Sequence, residues 1–170
     1  MLYHIPQVAH VSVSFDLLEG LLEAAPDRVV GVKDSSGDPD HLRDLCLRFP
    51  ELRIFAGNDR LLLKGLQLGS AGCITAAVNV LAPLDVAVYQ AFKSQKQSDA
   101  ERLQARLTAA RAVLESYPPF PSTIKYLLSK RYQTPGWVPR PPLMPLGEAE
   151  RKALVRELGE VGLEAWIDWL

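Results

Sequence analysis

Apolar residues follow two different rhythms along this chain, and the change falls near residue 80. In the first part, short apolar runs alternate with stretches of helical spacing. "MLYHIP" offers Met1 to Ile5 as a strand that Pro6 stops. "SFDLLEGLLEAAP" places Leu17, Leu18, Leu21 and Leu22 at helical intervals. "RVVGVK" is a short run with β-branched residues, the mark of a buried strand. "DPDHLRDLCLRFP" reads as a helix with Asp38 at the N-cap, Pro39 at the first helical position and Asp40 at the positive end of the dipole. "LRIFAG" is the next strand, "DRLLLKGLQLG" a helix ending at Gly69, and "AGCITAA" a further strand, with "GSAG" as the tight turn into it. Strand, helix, strand, helix, strand at this pitch predicts βαβ units and a parallel sheet, with Val30, Val32, Ile54 and Ile74 as apolar positions on its inner face.

Beyond that point the alternation stops. "PLDVAVYQAFKSQ" and "DAERLQARLTAARAVLESY" are long helical patterns and "STIKYLLSKRY" a shorter one. The charged face of the second belongs to solvent. "TPGWVPRPPLMPL" is a Pro-rich, extended connector carrying Trp137, Val138, Leu143 and Leu146 for packing. Helical turns close the chain, with Trp166 and Trp169 of "LEAWIDWL" suited to core or subunit packing. The expected organisation is a set of βα units over residues 1–80 and a helical region over 81–170.

Composition narrows the classes. A chain of 170 residues, 48% apolar and 23% charged, is one ordinary globular domain's worth of sequence. A formal net charge of -1 gives no reason to expect nucleic acid or an acidic membrane as partner. No apolar run approaches the ~18 residues of a spanning helix, and "MLYHIPQVAH" has no basic start of a signal peptide. Cys46 and Cys73 are too few for a disulfide framework and lack zinc-ligand spacing, so both are expected as small core residues in a reducing cytoplasm. His4, His10 and His41 show no metal spacing; His4 alternates away from Tyr3 towards the helix layer, and His41 is expected on a helix surface. No phosphate-cradling glycine motif occurs, which argues against a doubly wound phosphate-binding domain.

Lys33 is the residue this frame makes conspicuous. Ligand sites of parallel α/β proteins lie at the strand C-termini. Lys33 is placed there, with Tyr3, the turn of Gly57, Asn58 and Asp59, and the segment around Ile74 and Thr75. The residues alone leave two readings. Lys33 is either a charge that reaches solvent or pairs with Asp34 or Asp59, or a nucleophile whose neutral amine forms a Schiff base with a ketone. A tyrosine hydroxyl could then shuttle protons.

"YHIPQ", "VVGVKDSSGD", "FAGND" and "LGSAGCITAAVNVLAP", in that order, closely resemble the second half of the dihydrodipicolinate synthase / N-acetylneuraminate lyase family, over essentially the whole chain. The resemblance implies an α/β fold: the C-terminal half of a (β/α)8 TIM barrel, about its last four βα units, followed by a C-terminal helical extension. It implies a class I aldolase or lyase that needs no cofactor or metal. Lys33 would be the Schiff-base lysine and Tyr3 the proton relay. Ile74 would present its backbone carbonyl at the pyruvate site, and Gly57 and Asn58 would line the same pocket. The implied partners are a 2-oxo acid (pyruvate), an aldehyde, and further copies of the chain in a homo-oligomer.

Two departures qualify the resemblance. The Gly-Thr-Thr loop that binds the pyruvate carboxylate in the family does not occur in this sequence, nor does the second tyrosine from the first half. The alternative is therefore an inactive fragment or interaction subunit of the same fold. Dihydrodipicolinate synthases proper also carry an arginine just after the tyrosine-proline motif, where Gln7, Val8 and Ala9 stand here. With "KDSSGD", this favours a hydroxylated 2-oxo acid as substrate over the synthase reaction.

Overall fold

The computed structural model describes residues 1–163. Trp166 and Trp169 lie outside them. Contacts divide the chain into two compact units, Met1–Thr75 and the remainder from Ala76.

The first unit is built on four parallel strands in chain order: β1 (Leu2–His4), β2 (Gly31–Asp34), β3 (Arg53–Ala56) and β4 (Gly72–Cys73). A four-residue helix α1 (Pro6–Ala9) and then α2 (Phe15–Ala24) connect β1 to β2, and α3 (Pro39–Arg48) connects β2 to β3. A 3-10 turn over Asp59–Leu61 runs into α4 (Leu62–Gln67) before β4. The helix starts follow the expected chemistry. Ser14 Oγ accepts from Leu17 N and caps α2, while Asp38 caps α3 by accepting from Asp40 N at 2.8 Å, with Pro39 in the first turn. Gly69, at φ +95, ends the α4 turn in a conformation that a side chain would resist, and Ser70 N closes it on Gly65 O at 2.9 Å.

Register sorts the side chains. Leu2 pairs with Val32 and Val32 with Ile54; one residue on, Tyr3 pairs with Lys33 and Lys33 with Phe55. Side chains alternate along a strand, so these sets occupy opposite faces. Val32, Ile54 and Ala56 are buried with Leu18, Leu42, Leu45 and Phe49 of the helix layer. Val32 and Ile54 are thus not inner-face positions, as the apolar run alone suggested. The alternation set by Lys33 turns them towards the helices. His4 joins them there, as its parity requires, at 4% exposure. Cys46 is buried in this core, and Cys73 is only half-buried at the end of the short β4.

The second unit is helical: α5 (Val78–Lys93), α6 (Gln97–Glu115), α7 (Phe120–Tyr132) and α8 (Glu148–Glu160). α5 begins five residues before the expected start at Pro83. Pro83 withholds one backbone donor, but Val80 and Leu81 are both fully buried, each burial being favourable by about 1.5–3 kcal/mol. Along α6 the buried residues Ala100, Leu103, Leu107, Ala110 and Leu114 form one stripe, and Arg102 pairs with Asp99 on the solvated side. The Pro-rich connector differs from expectation. Trp137, Val138 and Leu143 are exposed, and Leu146 alone of the four is buried. Side chains of α7 hold the connector by its carbonyls: Ser122 Oγ donates to Met144 O at 2.7 Å and Lys125 Nζ to Val138 O at 3.2 Å. No helix among the described residues is long and apolar enough to cross a membrane.

Candidate active site

The sheet brings Tyr3 and Lys33 side by side on the face opposite the helices. The Lys33 ammonium lies 4.1 Å from the centre of the Tyr3 ring. The Tyr3 side is open, at 51% exposure, and Lys33 is half-buried. Burial alone would raise the Tyr3 phenol's pKa. Hydrogen bonds with Ser35 and with Lys33, and the lysine's positive charge, together outweigh that and hold it below its ordinary value. The phenol is thereby biased towards giving up its proton beside an amine.

The bland reading of Lys33 as one half of an ion pair finds no support among the described residues. Asp34 points to the opposite face. Its Oδ2 lies 3.2 Å from His41 Nδ1 and its Oδ1 accepts from Ser36 N at 3.0 Å. Asp59 is fully buried, and Thr75 Oγ1 donates to its carboxylate at 2.8 Å.

The turn after Lys33 is held from several sides. Ser35 N donates to His4 O at 2.8 Å and Gly57 N to Asp34 O at 2.6 Å, so strand pairing continues past the regular sheet. Gln7 Nε2 donates to Ser35 O at 2.6 Å. A Cβ on Gly57 would collide with Ser35 Oγ and come within 2.7 Å of both Asp34 O and Ser35 Cα. Gly57 is therefore the residue that lets the β3 turn close on the lysine turn. Asn58 is adjacent, but its side chain is occupied: Oδ1 accepts from Arg60 N at 3.0 Å and caps the 3-10 turn. Ile74 follows β4, and its N–H donates to Ala56 O at 2.9 Å.

Sequence reasoning missed several members of this arrangement. Gln7 appeared only as a residue that cannot hold a carboxylate, yet it ties β1's exit to the lysine turn. His41 is not a bare helix-surface residue. It contacts Asp34 and stacks between His4, at 4.5 Å, and Phe15, at 5.2 Å between ring centres. His4, Asp34 and His41 offer ligand-type atoms within 4.8 Å of one another, a trio that no linear spacing announced. Val13 N already donates to His4 Nδ1 at 3.1 Å, which places that ring's proton on Nε2. The His4 pKa is lowered by burial and by the neighbouring His41, against the pull of Asp34. The trio reads as a hydrogen-bonded stack that fastens Asp34, and so the lysine turn, to the helix layer. The sequence did hold one signal for it: His4 and Asp34 share a parity opposite to Tyr3 and Lys33.

A parallel sheet with helices on one face is part of a barrel of the TIM type, and Tyr3 and Lys33 stand near the C-terminal ends of its first two strands, on the other face. The comparisons with known proteins agree with this. The chain belongs to the dihydrodipicolinate synthetase family, whose model matches residues 1–161. An uncharacterised DapA-like lyase of Chloroflexus aurantiacus is 40% identical over 154 residues, covering 91% of this chain and 50% of the relative. A 4-hydroxy-tetrahydrodipicolinate synthase of Methanopyrus kandleri is 31% identical over 165 residues, covering 96% and 54%. Among solved structures, the 4-hydroxy-tetrahydrodipicolinate synthase of Methylacidiphilum fumariolicum SolV matches with a TM-score of 0.84 at 26% identity, covering all of this chain and 57% of its own. A prophage protein of the same family from E. coli K12, solved in complex with pyruvate, matches with a TM-score of 0.86 over 96% of this chain and 56% of its own; at 23% identity it speaks for the fold alone. The chain thus spans about half the length of the relatives it matches, and its fold is the C-terminal half of a (β/α)8 barrel followed by helices.

Proposed function

We propose that this chain carries the reactive half of a class I lyase or aldolase acting on a 2-oxo acid such as pyruvate. The observation that supports this reading is the Lys33–Tyr3 pair: an amine without a carboxylate partner among the described residues, 4.1 Å from the ring of a phenol whose pKa is lowered. The neutral Lys33 amine adds to the C2 carbonyl and water leaves, giving a protonated imine. Loss of a C3 proton gives an enamine, which adds to an aldehyde. Hydrolysis of the new imine frees product and lysine, and the same steps reversed cleave a carbon–carbon bond. Tyr3 Oη carries protons to and from the carbinolamine oxygen and the aldehyde oxygen.

Gly57 shapes the pocket by admitting the lysine turn, and Asn58 and Ile74 face it through their backbones. The carboxylate anchor comes from the other half of the barrel, because no Gly-Thr-Thr loop occurs in these 170 residues. Gln7 is engaged with Ser35, and Val8 and Ala9 carry no charge, so no cation follows the tyrosine-proline motif to hold a second carboxylate. A hydroxylated 2-oxo acid therefore suits the site better than aspartate semialdehyde condensation.

The test uses the chain and a chimera in which the first half of the C. aurantiacus relative precedes it. Pyruvate with borohydride should leave a covalent adduct on Lys33 in the chimera, and Lys33→Ala should abolish both adduct and turnover. Labelling that survives Lys33→Ala refutes the assignment. A folded chimera that takes no label favours a non-catalytic fragment, and efficient use of aspartate semialdehyde refutes the substrate reading.

A further inference from the structure

A second concave site lies wholly within the helical unit, between α7, the Pro-rich connector and the first turns of α8. It is a cavity of about 190 Å³, lined by Tyr126 and Ser129 of α7, Trp137 and Val138 of the connector, and Arg151 of α8, among others. At ~30 Å³ per water, it has room for about six waters or one small organic molecule. Its walls are mainly apolar and aromatic, and the charged side chain among them is cationic.

Arg151 is the unusual member. Its guanidinium lies over the Tyr126 ring, 5.3 Å from the centre, and its Nε is buried without a hydrogen-bond partner. A guanidinium N–H left unpaired out of water is costly, and such groups in folded proteins are ordinarily satisfied. The carboxylates nearest it in sequence are engaged elsewhere: Glu148 with Lys152 at 2.7 Å, and Glu150 Oε2 with Gly147 N at 2.7 Å. Among the described residues, no acidic one lines the cavity. An apolar, aromatic-walled pocket with one cationic side chain in its lining has the general make-up of a small-molecule site, and a guanidinium fork selects planar carboxylates.

We propose that this cavity binds a small monocarboxylate, its carboxylate on the Arg151 guanidinium and its apolar body against Tyr126, Trp137 and Val138. No residue of the first unit lines this cavity, and the proposal does not depend on how Lys33 acts. Through α7 and α8 it grips the connector that Ser122 and Lys125 also hold, so an occupied cavity stabilises the helical unit.

Benzoate, with its uncharged isostere benzamide and with inorganic phosphate, tests this on the 170-residue chain. Trp137 fluorescence and the thermal midpoint are followed. Benzoate is expected to give a saturable fluorescence change that Trp137→Phe removes, and to raise the midpoint. Benzamide should bind at least tenfold more weakly. Arg151→Gln should abolish the benzoate effect. Val138→Glu, at an exposed position on the cavity wall, should block benzoate by supplying a competing carboxylate without disturbing the fold. Equal binding of benzamide, or benzoate binding that survives both Arg151→Gln and Val138→Glu, overturns the proposal, as does no saturable change with benzoate up to millimolar concentrations. A response to phosphate equal to that of benzoate overturns the choice of a carboxylate.

Discussion

Gly57→Ala isolates the joint between the β3 turn and the lysine turn. No positive φ is involved at Gly57, so alanine meets no backbone penalty, and the whole effect comes from space. The added Cβ collides with Ser35 Oγ and comes within 2.7 Å of Asp34 O and Ser35 Cα. Two of these three are backbone atoms or bonded directly to backbone, and the Gly57 N–Asp34 O hydrogen bond of 2.6 Å holds the two turns together. Side-chain rotation cannot relieve the clash, so one turn must move. Overpacking of this kind costs about 1–3 kcal/mol. At ~2–4 °C per kcal/mol for a chain of this size, the thermal midpoint should fall by about 2–12 °C. A shift of about 1 Å at Ser35 also moves Lys33 relative to Tyr3, and misplacement on that scale costs ~10²-fold in rate. The assay is paired: thermal unfolding of the chain, and the rate of borohydride-trapped pyruvate labelling in the chimera. Gly20→Ala is the control, since nothing lies within 4 Å of its would-be Cβ in the middle of α2, and it should stabilise by about 0.5–1 kcal/mol. If Gly57→Ala unfolds and labels like the parent, the close approach does not position the lysine.

Three other outcomes follow from the same geometry. Tyr3→Phe keeps the ring over Lys33 and removes the hydroxyl, so turnover in the chimera should drop ~10²–10⁴-fold with little change in thermal midpoint; an unchanged rate would make Tyr3 structural. His4 has a pKa lowered on folding, so the unfolded chain binds more protons than the folded one as pH falls below ~6.5, and stability should be lost through that window. His4→Asn, with an oxygen to accept from Val13 N, should flatten this dependence, which urea midpoints between pH 5 and 8 would show. The outer edges of β1 and β4 have no strand partner among the described residues, and Tyr3 stands exposed at one of them, so the 170-residue chain should self-associate in size-exclusion chromatography and show no aldolase turnover; an active monomer would refute the need for the other half.

The order of elements was legible because local chemistry declared it. Asp38-Pro39-Asp40 starts a helix whatever surrounds it, and Gly69 stops one. The faces of the sheet were harder to read. A buried parallel strand is apolar on both sides, so "VVGVK" does not say which valine looks inward. Only the position of Lys33, a residue with no reason to enter the helix layer, sets the parity. Applied strictly, that rule would have turned Val32 towards the helices from the sequence alone, as alternation from Tyr3 did for His4; Ile54 follows only once the register of β2 and β3 is known. The connector differs for another reason: apolar residues in its sequence suggest packing, but its backbone carbonyls are what Ser122 and Lys125 hold.

The candidate site divides along the same line. The adjacency of Lys33 and Tyr3 was legible because both stand at the ends of neighbouring parallel strands. Gln7, Ser35, Asp34 and His41 were not, because each acts through a contact that exists only once β1, β2 and α3 are side by side. Gln7 reaches 28 residues along the chain to Ser35, and His4 meets His41 across the sheet-to-helix layer. The lysine turn is therefore clamped twice: by Gln7 and Gly57 at the strand ends, and by Asp34, His41 and His4 from behind. Asp34 is the hinge of that arrangement. Its carbonyl serves the Gly57 side and its carboxylate the histidine side, so one residue next to Lys33 couples the face that carries Lys33 and Tyr3 to the packed one. A turn built this way fixes where the Lys33 amine stands before any ligand arrives, which is the positioning the proposed Schiff-base role would require.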